Sequence, residues 1–431
     1  MFYLNKDIPL TEILLSKIQN RFCYEVRPKL VKNKDYYDGV QKILTKTYTD
    51  ETKTCSRIIT NYCKNIVDSY GGYIASPGYI AYKSEQDIED ILDILRYNDF
   101  QAEDSEFLHL ALIYGTAAEL MYIDSDSHIR FKLIDPRQCF GIYDDALGGD
   151  LLYFVRFYKA SEWDDSNLYY LDVYTDTEIR HYQMFSECGT PKLISSEPHY
   201  FNQCPANIFY LQDEKSIFDC ILSLQDAVNE ILSDEVDDYA AFCDAYLALT
   251  GVDADAEDIE MMKENRVLLL PDGALANWLT KNASDAQVEN ILQRLHNSIY
   301  RIAQCPDFSS ESFVGGVSSG VAIRYRLTGM ENKAAQIVAL MKKALQRRIE
   351  LICGFASILE GEEVFRDIDI VFTRNIASDN TDIVNLVRGL QGIVSDETLL
   401  AMLPQITDVS AEMERIKEQK ADNLAMYSFG E

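Results

Sequence analysis

The stretch SIFDCILSLQDAVNEILSDEVDDYAAFCDAYLALT, Ser216 to Thr250, spaces Ile217, Ile221, Leu224, Val228, Leu232, Val236, Tyr239, Phe242, Tyr246 and Leu249 three or four residues apart. Residues at that spacing share one face of an α-helix, so the stretch predicts one amphipathic helix of about nine turns, ended by Gly251. Few globular helices run so long. Ser216 to Asn265 carries fourteen acidic side chains and one basic one, Lys263, whereas Ser318 to Cys353 holds seven basic residues against two acidic. A helix so acidic is a poor ligand for nucleic acid. Many copies standing around a hole would nevertheless make a wall to which DNA phosphates do not adhere.

Downstream, Asp253 to Asn265 reads as a short acidic helix and Arg266 to Leu270 and Ala274 to Lys281 as small β segments, with Pro271-Asp272-Gly273 as their turn. Ser284 is placed to cap a second long helix whose stripe is Val288, Ile291, Leu292, Leu295, Ile299 and Ile302. Cys305 to Ser319 (CPDFSSESFVGGVSS) is denied regular structure by Pro306, Gly315, Gly316 and its serines, while Phe308, Phe313 and Val314 give it apolar teeth. The basic helix, about Gly320 to Cys353, follows, with Gly329 as a weak point. A strand at Ile368 to Thr373 then precedes helices at Asp379 to Gln391, Asp396 to Leu403 and Ser410 to Ala421, with Ser395 and Ser410 as caps.

Upstream, Asp35 to Lys64 reads as helix, and Ile66 to Tyr82 breaks into turns at Gly71, Gly72, Pro77 and Gly78. Ser84 with Asp87 resembles a capping box before a helix whose face is Ile88, Ile91, Leu92 and Leu95, and a second helix spans about Asp104 to Tyr114. Ala117–Ile123, His128–Ile134, Leu151–Ala160, Leu168–Thr175 and Glu178–Phe185 alternate Tyr, Phe and Val as a strand meander. Their aromatics read as core, because a base-stacking sheet would carry basic neighbours that this segment mostly lacks. The fold class is α+β and mostly helical.

The 431 residues, 47% hydrophobic and 26% charged, suit two or three folded modules. Forty basic against 70 acidic residues give a net charge of -30, which discourages unspecific attachment to nucleic acid or anionic lipid. The ten cysteines include no C-x-x-C pair, so free thiols and no metal site are expected. No basic leader and no run of about eighteen apolar residues is seen, which predicts a cytosolic chain without a membrane partner.

Enzyme chemistry finds little support. Gly316-Val317-Ser318-Ser319-Gly320 has the G-x-S-x-G spacing of a hydrolase elbow, yet all five histidines precede it and no strand leads into it. No phosphate-binding G-x-x-x-x-G-K-[ST] loop exists, so no nucleotide cofactor is expected. A carboxylate–metal nuclease is the alternative from another class; its Asp253, Asp255 and Asp258 lack a matched basic partner.

Several short motifs recur in a telling order: Tyr36-Tyr37-Asp38-Gly39; Asn61-Tyr62-Cys63-Lys64-Asn65-Ile66-Val67-Asp68 leading to Gly72-Tyr73-Ile74; Ile113-Tyr114-Gly115-Thr116-Ala117; Ile134-Asp135-Pro136; Asp226 with Asn229 and Ser233-Asp234; and Ser319-Gly320-Val321-Ala322-Ile323-Arg324-Tyr325. From about Asp35 to Glu418 this order resembles the portal proteins of tailed double-stranded DNA bacteriophages, in the branch typified by a Bacillus siphophage. The resemblance implies a wing over residues 1–215, stem helices at 216–251 and 284–304 and a clip at 252–283 between them. It also implies a tunnel loop at 305–319, a long helix and return to the wing at 320–378, and a crown at 379–431.

It further implies a dodecameric ring at one capsid vertex, assembled in the host cytoplasm and threaded by double-stranded DNA. The implied partners are the terminase large subunit, major capsid and scaffold proteins and a head–tail connector. By position, Asp234, Asp237, Asp238 and Asp244 would line the channel, a solvated outer face being the alternative for each, and Asp255, Asp258, Glu260 and Asp272 would lie in the docking clip. Asp307, Phe308, Ser310, Phe313, Val314, Gly315 and Gly316 would form the tunnel loop, with Phe308 also suited to packing on a neighbour. Arg347 and Arg348 would pair with acids of adjacent subunits. The alternative to this conduit is a soluble structural adaptor.

Overall fold

Where aromatic and β-branched residues alternate, strands form, and the computed structural model describes them within residues 1–49, 54–161, 163, 167–243, 247–250, 275–278, 285–310, 320–361, 364, 366–374, 387–401, 412–413, 415–417 and 419. The helices are α1 (Glu12–Arg21), α2 (Arg27–Asp38), α3 (Tyr62–Ile74), α4 (Glu89–Tyr97), α5 (Phe100–Tyr114), α6 (Leu222–Cys243), α7 (Asp285–Ala303), α8 (Gly320–Glu360) and α9 (Asp396–Ala401). The strands are β1 (Phe2–Leu4), β2 (Ile80–Lys83), β3 (Thr116–Ile123), β4 (Ile129–Ile134), β5 (Cys139–Asp144), β6 (Leu151–Lys159) and β7 (Tyr169–Tyr174). They continue as β8 (Glu178–Met184), β9 (Lys192–Pro198), β10 (Ala206–Tyr210), β11 (Leu247–Thr250), β12 (Leu275–Trp278) and β13 (Asp369–Phe372). One compact unit comprises residues 1–307 and 329–374, the other residues 308–328 and 375–431.

In the first unit, a six-stranded sheet runs β1-β5-β6-β7-β8-β9 and a three-stranded sheet runs β10-β3-β4. Among the described strands only β1 lies parallel to its neighbour, matching Phe2 to Ile142. The sheets share a core of Leu120, Ile134, Cys139, Phe154, Tyr174 and Cys204, so Phe154 and Tyr174 are core as the alternation predicts, whereas Tyr122 and Phe185 are 42% and 78% exposed. The helical arm covers this sheet: Phe22, in the π turn Phe22–Val26 between α1 and α2, stacks on Phe140 at 5.0 Å and meets Phe157 edge-on at 5.7 Å.

Helix α8 is pinned to this unit by one buried cation. Arg348 has no exposed side-chain area, and neither do Asp104 of α5 or Glu119 of β3, its ion-pair partners. Its Nε and Nη2 grip Glu119 at 3.0 and 2.7 Å, Nη1 bonds Asp104, and the guanidinium lies 4.4 Å over the Phe131 ring. Burial opposes the charge, but Asp104 and Glu119 outweigh it, so Arg348 holds its proton more tightly than an ordinary arginine. Tyr82 donates to Asp104 at 2.8 Å, and Asn207 bridges Glu119 to the Ala344 carbonyl. The subunit-contact role expected of Arg348 is corrected by this geometry: both acids belong to its own chain, and nothing of the side chain reaches the surface.

Several helix boundaries differ from the sequence pattern. The run expected from Asp35 to Lys64 breaks at Gly39, which adopts a left-handed φ of 85° as the C-cap of α2. The turns expected at Gly71 and Gly72 are instead helix α3, started by the Asn61 carboxamide accepting from Lys64 N–H at 3.1 Å. A Cβ on Gly71 would sit 3.8 and 3.9 Å from His109 and Leu112 of α5, ordinary contact distances, so the helix has room for a larger residue there. Ser84 and Asp87 each bond an amide two residues on, which makes turns and moves the start of α4 to Glu89. The helix predicted from Ser216 to Leu249 begins after a 3-10 turn at Asp219–Ile221 and stops at Cys243, because Leu247–Thr250 pairs antiparallel with Leu275–Trp278. Helix α8 continues through Gly329, and Ser395 caps α9 by accepting from Thr398 N–H at 3.3 Å. Among the described residues no helix is long and apolar enough to cross a membrane.

Candidate functional site

Helix α6 carries two polar faces with different tasks. Gln225, Asn229, Ser233 and Asp237 recur every fourth residue on one face, and all four are buried. Every second amide of the segment running past them donates to one of these side chains. Ser56 N–H meets Asp237 Oδ1 at 2.7 Å, Ile58 meets Ser233 Oγ at 2.9 Å, Thr60 meets Asn229 Oδ1 at 2.9 Å and Tyr62 meets Gln225 Oε1 at 3.0 Å. The chain directions are opposed, so the helix acts as a polar comb that holds an otherwise irregular strap. Buried backbone amides demand such partners.

Beyond the comb, Lys46 Nζ lies 2.7 Å from Asp234 and 3.1 Å from Asp237, with the Tyr48 hydroxyl donating to both carboxylates. Burial raises the Asp237 pKa, yet the bonds from Ser56, Lys46 and Tyr48 prevail and hold it below the usual aspartate value. The other face of α6 presents Glu230, Asp234, Glu235 and Asp238 to solvent. Val236 and Tyr239 are 44% and 75% exposed. The apolar stripe read from the sequence is therefore buried at Ile217, Ile221 and Val228 and uncovered toward the far end.

Helix α7 packs back along α6. Of its stripe only Ile299 is fully buried; Ile291 and Ile302 are 48% and 44% exposed. Near its end, His296 bridges two elements: Nδ1 lies 3.0 Å from the Tyr62 hydroxyl, and Nε2–H donates to the Asp307 carboxylate at 3.0 Å. Tyr70 donates to the Ala303 carbonyl at 3.0 Å, which fixes the last turn of α7 against α3. The segment entering residue 308 is thus anchored on a defined base.

Residues 24–425 match the phage portal protein family, SPP1 Gp6-like. The chain belongs to this family. The portal protein of Bacillus phage SPP1 is 22% identical over 432 positions, spanning 95% of this chain and 84% of that protein. The portal protein of Clostridium phage phiCD119 is 21% identical over 429 positions, spanning 91% and 93% of the two chains.

Three of the portal motifs read from the sequence, those at Tyr36, Asn61 and Asp226, meet at the root of α6. Tyr36 donates to Asp226 at 2.8 Å, Tyr37 to Asp68 at 3.0 Å, and Asn61 to the Tyr37 carbonyl at 2.7 Å, while Asn229 donates to Gln41 at 2.5 Å. These motif residues hold the hairpin base together through hydrogen bonds within the chain.

The candidate site residues fall into separate groups. Asp234 and Asp238 are exposed on α6, whereas Asp237 is a tooth of the comb and faces its own chain. Its expected place on a channel wall is corrected, since that carboxylate is consumed by Ser56, Lys46 and Tyr48. Asp307 is held by His296, Phe308 is 42% exposed and Ser310 is half-buried. Arg347 donates to Gln203 at 2.7 Å and lies 3.4 Å from Glu350. Asp244, Asp255, Asp258, Glu260, Asp272, Phe313, Val314, Gly315 and Gly316 lie outside the described residues. Among the described residues no group of three or more His, Cys, Asp or Glu is arranged to hold a metal ion. The comb, Lys46 and His296 were missed from sequence; only the four-residue repeat of Gln225, Asn229, Ser233 and Asp237 signalled a polar face.

Proposed function

We propose that this chain is the subunit of a portal ring, twelve copies of which stand at one capsid vertex and let double-stranded DNA pass during packaging and ejection. The observation that carries the reading is the division of the α6–α7 hairpin. Its apolar stripes are uncovered at Val236, Tyr239, Ile291 and Ile302, while Glu230, Asp234, Glu235 and Asp238 project from the same hairpin. Neighbouring copies packed side by side would cover the apolar positions and leave rows of carboxylates along a common bore. Association of identical subunits around an axis uses two different faces of each copy. Duplex DNA carries a charge about every 1.7 Å and screening reaches about 8 Å at physiological salt, so such a wall repels the duplex without gripping it.

In this reading residues 252–283 are the clip that receives the terminase large subunit and later the head–tail connector. Residues 305–319 form the tunnel loop, rooted through Asp307 on His296. Arg347 remains a candidate contact between subunits, because its bonds to Gln203 and Glu350 leave it partly exposed. The chain supplies no motor and depends on the separate terminase for energy. Electron microscopy and native mass spectrometry of the purified full chain test the proposal. Rings with a central hole are expected, and a compact monomer at every concentration would refute it in favour of an adaptor without a conduit.

A further inference from the structure

The helical arm closes on the turn between β8 and β9 through side chains set four residues apart. Gln19 Nε2 donates to the Glu187 carbonyl at 2.7 Å, and Arg27 pairs with the Glu187 carboxylate. Between them, in the π turn, stands Cys23, near enough to Cys188 for that second thiol to raise its pKa. Farther along, Leu193 N–H donates to Glu12 at 3.0 Å. Two polar contacts thus bracket the thiols and fix the register between elements far apart in sequence. Cys63, Cys139, Cys204, Cys305 and Cys353 are buried, whereas Cys23 and Cys188 are each partly open to solvent.

We propose that Cys23 and Cys188 form a paired thiol site that closes to an intrachain disulfide when the protein meets a disulfide oxidant such as oxidised glutathione. The Cys188 thiolate attacks one glutathione sulfur and expels one glutathione thiolate. The Cys23 thiolate then attacks the Cys188 sulfur, forms the protein S–S bond and expels the second. The protein loses two electrons and two protons, and one glutathione disulfide becomes two glutathiones. Closure brings the two sulfurs to about 2.05 Å. Burial, followed by the neighbouring Cys188, pushes the Cys23 thiol up to about 12. Its thiolate is therefore scarce at neutral pH, the resolving step is slow, and closure quickens as pH rises.

The site is independent of the portal reading and is tested on the full chain. After incubation with oxidised glutathione, peptide mapping without reductant is expected to find Cys23 joined to Cys188. The thiol count in denaturant should fall by two from the ten of the reduced chain. Cys23→Ser and Cys188→Ser should each abolish the linked peptide, Cys220→Ser should retain it, and the wild-type closure rate should rise roughly tenfold per pH unit near neutrality. A persistent glutathione adduct on Cys188, a Cys188 link between two copies, or unchanged thiols would each overturn the proposal. Mapping of the wild-type chain decides the matter even where a variant folds poorly.

Discussion

Replacing Arg348 by Met keeps much of the side chain's volume and removes its charge. Asp104 and Glu119 would then remain with no exposed area and no cation between them. Breaking a buried pair by deleting one partner costs about 3–5 kcal/mol, and full burial removes any discount for solvent screening. The loss depends on pH in a direction that can be worked out. Burial already raises the Asp104 pKa above its ordinary value despite the opposing pull of Arg348. A carboxyl with a folded pKa above its unfolded one binds its proton more tightly in the folded state, so it adds stability as pH falls and costs stability as pH rises. Without the guanidinium that pKa rises further, and the deficit of the variant should be largest near neutrality and shrink toward pH 5. In urea unfolding of the whole chain, followed by far-ultraviolet circular dichroism, the neutral-pH midpoint should drop by about 1 M. Adding Asp104→Asn and Glu119→Gln should recover much of the loss. A midpoint unchanged at neutral pH, or a deficit that deepens in acid, would show that the cluster does not hold α8 as argued.

Asn229→Leu removes the acceptor of Thr60 N–H and the donor to Gln41; orphaning these buried groups should cost about 3 kcal/mol. Hydrogen exchange should show lost protection at Ile58, Thr60 and Tyr62 before any change in the six-stranded sheet. Gly115→Ala should destabilise by about 2 kcal/mol or more, because φ is +81° and the new Cβ would lie 2.6 Å from the Glu214 carbonyl oxygen; a lowered thermal midpoint with unchanged secondary structure is the expected result. Glu230→Lys, Glu235→Lys and Asp238→Lys together should leave rings assembled yet make them retain duplex DNA at salt concentrations where the parent releases it, by roughly the counterion dependence of a few added phosphate contacts. Equal release by both proteins would remove these acids from the channel wall.

The strand meander was legible because each strand carries its own alternation: Leu168 to Thr175 predicts β7, which runs Tyr169–Tyr174. Strand β9 was not, since KLISSEP has no alternation and every residue is exposed; its conformation comes from pairing with β8. The double glycine of α3 hid a helix that owes its stability to a buried face of Ile66, Val67, Tyr70 and Tyr73. Arg348 looks like any residue of a basic helix, and only the tertiary approach of Asp104 and Glu119 distinguishes it from Arg347. The family motifs were readable as an order of pieces, while the meeting of three of them at the root of α6 required the fold. Likewise, the teeth of the comb share a helical face in sequence, but their partner strap lies more than 160 residues away.

That strap and comb keep time with each other only briefly. Two residues of extended chain advance about 6.8 Å, whereas four residues of helix advance about 6 Å, so each successive rung adds nearly an ångström of mismatch. Such a vernier allows a handful of good bonds and then falls out of phase, which gives a geometric reason for the grip to be confined to the run from Gln225 to Asp237. Slippage by one residue would turn amides away from every tooth at once, so the segment has discrete settings and cannot creep gradually along the helix.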